Sequence, residues 1–273
     1  MQILITGGTG YLGSRLAKML NQAGHRVLAL NRAERELPSQ VASADAVIHT
    51  ACCYGRAGEN DSEVFAANVD WPSRLLTMLS PDTLFLNTDT VLPPRLSSYA
   101  ASKELFRQAG PALVRARDAR WINLRLEHFY GPGEGDDKFI TRTVRACLEG
   151  GELKLTPGEQ RRDFIFIDDV VRAFDLVLRV AAERKDVDDL YAGTGKPVRI
   201  RDLAERIHRL CGSRGTLRFG AVAYREGEPM EIERPQVEPL DRYGWRAEVE
   251  LQEGLEQVVQ FEKMRKANPC VCS

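Results

Sequence analysis

The sequence predicts an α/β fold, a doubly wound parallel sheet flanked by helices. Three observations carry this. The run "QILIT" at residues 2–6 is apolar and β-branched and fits a strand buried on both faces. It runs directly into a glycine-rich turn at residues 7–13, which opens a stretch with helical spacing. Further apolar strand segments follow, "HRVLAL", "ADAVIHTAC" and "TLFLNT", separated by helical or polar sequence.

At 273 residues and 43% apolar, the chain can bury a large core, in one big domain or two unequal ones. Its 38 basic and 39 acidic residues leave a net charge of −1, so no single-sign field points to nucleic acid or a membrane surface. No apolar run approaches the roughly 20 residues that span a bilayer. The start "MQILITGGTG" lacks the charged region and long apolar stretch of a signal peptide. A cytoplasmic location is therefore expected, with Cys52, Cys53, Cys147, Cys211, Cys270 and Cys272 as free thiols. Cys270 and Cys272 sit in a tail, "NPCVCS", without metal-ligating partners, and no metal site is expected.

After the first strand, Gly7, Gly10 and Gly13 recur at even spacing. Leu12, Leu16, Met19 and Leu20 then share one helical face, and Gly24 is placed to end the helix. Glycines between a strand and a helix let the backbone approach a pyrophosphate, and the helix N-terminus offers amide donors and partial positive charge. The second strand ends Leu30-Asn31-Arg32, with Arg35 close behind. A carboxylate at that end would bind the ribose hydroxyl of NAD, whereas an arginine pairs with the extra phosphate of NADP. With no acid there, NADP(H) is favoured over NAD(H). The competing reading leaves Arg32 solvated and Asn31 on the ribose of NAD. A short helix, "PSQVASA", and the strand "ADAVIHTAC" follow.

Tyr99 and Lys103 fall one helical turn apart, on one face. A free tyrosine titrates near about 10, and a neighbouring ammonium favours the phenolate. Such a phenol can act as general acid in a reduction or as base in the reverse oxidation. Thr88, at the end of "TLFLNT", can hydrogen-bond a reacting carbonyl. The set suits hydride transfer to or from a carbonyl.

The glycine spacing in "TGGTGYLG", followed in order by "VIHTA", Thr88 and Tyr99-x-x-x-Lys103, resembles the extended branch of the short-chain dehydrogenase/reductase superfamily. "FAANVDWPSRLL", "INLRLEHFYGPG", "RRDFIFIDDVVRAF", "YAGTGKPVRIRDLAERI" and the "REGEP", "YGW", "EGLEQVVQF" ending continue the resemblance. It implies a Rossmann-type dinucleotide-binding domain at residues 1–132 and 162–196. A smaller C-terminal nucleotide-sugar-binding domain is implied at 133–161 and 197–262, with a tail at 263–273. It implies cofactor contacts from Gly7, Gly10, Tyr11, Leu12, Gly13, Asn31, Arg32, Arg35, His49, Thr50, Ala51, Asn68, Tyr99, Lys103 and Leu126. The aspartate that contacts adenine in relatives has no counterpart. A homodimer through helices near 65–79 and 97–109 is a further implication.

Members of this branch act on nucleotide-linked sugars, and departures from their patterns narrow the choice. Thr88-Asp89-Thr90 stands where 4,6-dehydratases place Thr-Asp-Glu, and Thr90 cannot serve as acid or base. Asp89 also replaces the cysteine of the epimerase/reductases of the GDP-fucose route. The stretch from Thr88 to Tyr99 is shortened to a proline-stiffened stub, "LPPRLSS", read as opening the sugar pocket. The short form looks most like the CDP-abequose and CDP-paratose synthases. Substrate contacts are expected from Asp89, Thr90, His128, Lys138, Arg162 and Arg225, the two arginines on a diphosphate. Glu127 is unusual and is left to the nicotinamide carboxamide or another donor. Asp168 and Asp169 read as helix-capping acids. In "DDKFITRTVRACLEG", Phe139, Val144 and Leu148 are expected to face inward.

The leading expectation is an NADPH-dependent 4-ketoreductase of a nucleotide-linked 4-keto-6-deoxyhexose, with Thr88, Tyr99 and Lys103 catalytic. A 4-epimerase with tightly bound NAD is the alternative. A non-catalytic NADP(H)-binding sensor is the alternative of another class, and the retained Tyr99 and Lys103 argue against it.

Overall fold

The computed structural model describes residues 1–31 and 39–268. The strands are β1 (Gln2–Thr6), β2 (Arg26–Leu30), β3 (Ala46–His49), β4 (Leu84–Thr90), β5 (Arg120–Leu126), β6 (His128–Tyr130), β7 (Glu152–Leu155), β8 (Arg161–Arg162), β9 (Phe164–Phe166), β10 (Asp189–Ala192), β11 (Val198–Arg199), β12 (Thr216–Phe219) and β13 (Glu238–Pro239). The helices are α1 (Tyr11–Gln22), α2 (Asp61–Phe65), α3 (Trp71–Leu76), α4 (Ser98–Arg115), α5 (Phe139–Glu149), α6 (Ile167–Glu183), α7 (Ile200–Leu210) and α8 (Leu251–Ala267). A wide π turn, Ala66–Asp70, joins α2 to α3, and Ala66 and Asp70 keep helical dihedrals. No described helix is long and apolar enough to cross a membrane.

The chain divides into two compact units. The first holds Met1–Leu126, Val171–Ala192 and Arg234–Trp245. Its seven-stranded sheet has the order β13-β10-β5-β4-β3-β1-β2 with every neighbour parallel, as the sequence predicts. The chain runs from β2 back across β1 to β3, so the carboxyl ends of β1 and β3 form a topological switch point. Strand residues Ile3, Leu4, Ile5, Val47, Ile48, Phe85, Leu86, Ile122 and Leu124 are buried, which is why these strands read as continuous apolar runs. Leu4, Val47 and Phe85 pack with Leu75, Leu76, Phe106, Val114 and Trp121 in one cluster. A Cβ on Gly110 would lie 2.4 Å from the Trp121 ring, so that turn of α4 reaches β5 only as glycine.

The second unit holds Glu127–Val170, Gly193–Glu233 and Arg246–Ser273. Three short ladders, β6 with β9, β7 with β12 and β8 with β11, accompany α5, α7 and α8. Arg145 fixes α5 to α8 through Glu262, at 2.7 Å from Nε to Oε2 and 3.2 Å from Nη2 to Oε1. On α5 the buried face is Ile140, Val144 and Cys147 rather than Phe139, Val144 and Leu148, because the helix begins at Phe139 and turns that side chain partly outward. Asp169 lies in the first turn of α6, but its carboxylate accepts from the amides of Glu248 and Val249, each at 3.1 Å.

These boundaries differ from the sequence expectation. Residues 127–132, 162–170 and 193–196 group with the second unit, while 234–245 return to the first because β13 extends the sheet beside β10. Helix α8 continues past residue 262, and Lys266 Nζ donates to Leu148 O at 2.9 Å, so part of the expected tail is ordered helix. Cys270 and Cys272 lie outside the described residues.

Candidate active site

The glycine turn is built by close backbone approach. Gly7 adopts φ of +68° and accepts at its carbonyl from Gly10 N at 2.9 Å. A Cβ on Gly13 would fall 2.2 Å from Gly7 O, and one on Gly7 would fall 2.8 Å from Ala51 N. Gly10 is the N-cap of α1, so the amides of Tyr11, Leu12 and Gly13 open the helix, where backbone donors have no intrahelical acceptor. The Leu12 side chain is buried, leaving only its amide to serve a ligand. The Arg15 guanidinium lies 4.2 Å from the Tyr11 ring centroid. Bare backbone on one side and helix amides on the other fit the pyrophosphate of a dinucleotide. Asn31 follows β2 and is exposed, whereas Arg32 and Arg35 lie outside the described residues.

The strand end beside this turn departs from expectation at His49. Its side chain is 1% exposed, with Nδ1 2.7 Å from Thr6 Oγ1 and its ring among Trp71, Phe85 and Phe106. Strand alternation turns it into the core, so only its backbone remains available to a cofactor. Burial, and then the charge of Lys103, hold the imidazole well below the ordinary histidine value. Thr50 is also tied inward, its Oγ1 donating to Thr6 O at 2.7 Å, and Ala51 lies against Gly7.

Asn68 is likewise committed internally. Its amide nitrogen donates to Cys53 O at 2.8 Å and to Ser102 Oγ at 2.9 Å, and its oxygen accepts from Cys53 N at 2.7 Å. These bonds clamp the loop after β3 to α4. Ser102 Oγ donates onward to Tyr99 O at 2.8 Å.

Thr88 near the end of β4, and Tyr99 and Lys103 on α4, belong to neighbouring packed elements. Thr88 Oγ1 is buried and makes no hydrogen bond among the described residues, so its donor is available to a ligand. Lys103 is 3% exposed. Ser97 starts α4 by accepting from Ala100 N at 3.2 Å, which sets Tyr99 in the first turn. The Tyr99 ring lies 4.7 Å from that of Tyr54, tilted by 39°, and Arg56 stands 5.5 Å from the Tyr54 ring. Burial, then Tyr54, Cys52 and Asp89, push the phenol well above its ordinary value against a smaller opposing pull from Arg56. The phenol is thus raised rather than lowered, and desolvation is the largest cause. Nothing in the sequence pattern marked Tyr54 or Arg56 as its neighbours.

Asp89 is drawn into the unit's interior. Its Oδ1 accepts from Thr90 N at 2.8 Å, and its Oδ2 accepts from Asn123 Nδ2 at 3.0 Å and lies 3.1 Å from Arg107 Nε. Asn123 Nδ2 also reaches Asp189 Oδ1 at 2.9 Å, and Asp189 pairs with Arg125. These contacts form an internal network that locks the end of β4. Thr90 Oγ1 accepts from Leu92 N at 3.2 Å and starts the shortened stub. Leu126 is buried at the end of β5.

In the second unit, His128 on β6 is partly exposed, with Nδ1 3.9 Å from Glu127 Oε2. Glu127 is buried and its charge also acts on Arg162. Lys138 is half-buried and immediately precedes α5. Arg162, on β8, and Arg225 both meet the carboxylate of Glu228. Of the two acids in "REGEP", Glu228 was the signal in the sequence that could have pointed to this contact. Burial lowers the Arg162 pKa, against the charge of Glu228. Among the described residues, no group of three or more His, Cys, Asp or Glu side chains is placed to hold a metal.

Residues 3–191 match the family described as "NAD dependent epimerase/dehydratase family". The chain is 29% identical to CDP-abequose synthase of Salmonella muenchen over 289 aligned positions, covering 96% of this chain and 98% of that protein. A CDP-abequose synthase of Salmonella typhimurium is also 29% identical, covering 94% and 97%. The UDP-glucuronic acid 4-epimerase of Bacillus cereus, solved with UDP-glucuronic acid and NAD, superposes with a TM-score of 0.83 at 20% identity, covering 97% and 99%. That last likeness concerns the fold.

Proposed function

The chain belongs to the NAD dependent epimerase/dehydratase family, within the extended short-chain dehydrogenases/reductases, and from that membership we propose a nucleotide-sugar 4-ketoreductase. The reaction is NADPH-dependent reduction of the 4-keto group of a nucleotide-linked 4-keto-6-deoxyhexose, with a CDP-linked 3,6-dideoxy sugar favoured. The observation that carries it is the buried Thr88 hydroxyl on β4, unpaired among the described residues, beside the helix that bears Tyr99 and Lys103. The near full-length likeness to the CDP-abequose synthases supports the choice of sugar.

A bound nicotinamide cofactor supplies the hydride. The Thr88 hydroxyl donates to the C4 carbonyl oxygen and orients it. The raised pKa keeps the Tyr99 phenol protonated at neutral pH, so it holds the proton that the new alkoxide takes. Lys103 supplies a buried positive charge that stabilises the phenolate left behind and can hydrogen-bond the nicotinamide ribose. The glycine turn and the α1 amides hold the pyrophosphate. The preference for NADP over NAD rests on Asn31, Arg32 and Arg35 and the missing acid at the end of β2. The proposal includes a homodimer, which sedimentation velocity will test, and Leu105, exposed on α4, supports it.

The test is to mix purified protein with NADPH or NADH and a panel of CDP-, dTDP-, UDP- and GDP-4-keto-6-deoxysugars, including the 3-deoxy form. The readout is the near-ultraviolet absorbance of the reduced nicotinamide. Stoichiometric loss with one sugar is the expected result, and no loss with any of them overturns the reading for those sugars. NAD carried through purification, with interconversion of 4-hydroxy sugars, would establish the epimerase instead.

A further inference from the structure

Two thiols meet at matching corners of the second unit. Cys147 lies in the last turn of α5, and Cys211 caps the end of α7. The strands that follow, β7 and β12, pair in parallel from Glu152 and Thr216, and each cysteine stands five residues before its member of that pair. Thr216 N donates to Gly151 O at 2.9 Å, so the turns after the two helices are joined as well. A Cβ on Gly215 would fall 2.6 Å from Gly151 O, a measure of how closely these turns approach. Both cysteines are buried, Cys147 at 2% and Cys211 at 4% exposure. The Cys211 thiol is within hydrogen-bonding reach of the Cys147 sulfur, and Cys211 Sγ also lies 3.8 Å from Val144 O.

The hydrogen bond between the two thiols holds that of Cys147 below its ordinary value and raises that of Cys211. One sulfur is thus the readier nucleophile, and the other stands beside it to resolve what it forms. We propose that Cys147 and Cys211 are a reversible redox site, a dithiol that a low-molecular-weight disulfide oxidises to an intramolecular disulfide stapling α5 to α7. Local opening at the helix ends admits the oxidant. The Cys147 thiolate attacks one sulfur of the oxidant, which forms a mixed disulfide and releases one thiol. The Cys211 sulfur then attacks that of Cys147, and the second thiol leaves. Two protein thiols are oxidised, one disulfide is reduced, and the two protons end on the two thiols released. Excess thiol runs both steps backwards. The link closes the chain between residues 147 and 211 and so stabilises the second unit by constraining its unfolded state. Neither cysteine belongs to the catalytic or substrate-binding set above, so the site stands independently of the proposed reaction.

The test is to incubate the full-length protein with oxidised glutathione, alkylate the remaining thiols, digest and map the peptides by mass spectrometry. The expected product is a peptide pair joined through Cys147 and Cys211, lighter by two hydrogen atoms than the separate dithiol peptides and parted by dithiothreitol. Oxidation should raise the Tm of the native chain by roughly 5–10 °C, and Cys147→Ser and Cys211→Ser should each abolish that rise. A melting transition in the untreated variants shows that they are folded. Where one is not, the peptide map of the native chain decides by itself. Repeating the incubation in urea below the unfolding transition opens the helix ends and removes burial as a reason for slow reaction. No link between Cys147 and Cys211 under either condition overturns the proposal and leaves the pair as core packing. Glutathione retained on either cysteine without the link, or a link to Cys270 or Cys272 in its place, overturns it as well.

Discussion

Arg107 Nε lies 3.1 Å from Asp89 Oδ2, so one ion pair ties the strand that carries Thr88 to the helix that carries Tyr99 and Lys103. The Asp89 side chain is 2% exposed and also serves Asn123 and Thr90. Its internal partners make it a support for the end of the strand that carries Thr88.

Asp89→Ala leaves Arg107 and the Asn123 amide without that acceptor inside the unit. The loss expected is about 3 kcal/mol of unfolding free energy, read from urea denaturation. Unchanged stability together with a raised KM would instead make Asp89 a substrate contact.

Tyr99→Phe removes the proton donor while keeping the ring against Tyr54. Turnover should fall by roughly 10²–10⁴-fold with cofactor affinity unchanged. Because the phenol is raised well above its ordinary value of about 10, the reductive rate should stay flat from neutral pH past that point. The reverse oxidation needs the phenolate and should keep rising with pH. Tyr54→Phe removes one raising neighbour and should move the alkaline limb to lower pH, and a limb that stays in place would show that Tyr54 does not act on the phenol.

His49 gives stability a pH dependence of definite sign. Its folded pKa is depressed, so the unfolded chain binds the proton more readily. The contribution is complete above the unfolded value of about 6.5 and is lost as pH falls from there through the folded value. Urea midpoints measured downward from neutral pH should decline less steeply for His49→Gln than for the native chain. Identical slopes would count against the burial of a neutral imidazole.

Gly13→Ala places a methyl group against Gly7 O, where even the ideal Cβ position is 2.2 Å away. The turn must open, so NADPH binding, followed by its fluorescence, should be lost and the Tm should fall. Retained NADPH affinity would move the pyrophosphate site elsewhere.

The sequence made the local features legible. Continuous apolar strands, a glycine turn at a strand-to-helix junction and Tyr99 four residues before Lys103 all depend on near neighbours in the chain. The features it hid are long-range pairings. Asn123 and Asp189 meet Asp89 from other strands, and Asn68 meets Cys53 and Ser102, with no periodicity to announce either contact. His49 was legible as part of the strand but not as a core side chain, since its polarity masked its inward register. The two arginines expected on a diphosphate were visible, whereas the carboxylate that spans them came from the turn geometry of Arg225–Glu228.

The wide turn at Ala66–Asp70 holds more backbone than a regular helical turn, and it is this excess that brings the Asn68 amide to Cys53 and Ser102. Deleting one residue such as Ala67 would remove this excess and, at about 100° of rotation per residue, swing Asn68 off its partners. Helix length, counted in residues, is thus a constraint here in its own right. A library of single-residue insertions and deletions across 61–76 should be far less tolerant than a library of surface substitutions over the same span, with the sharpest intolerance on the amino-terminal side of Asn68.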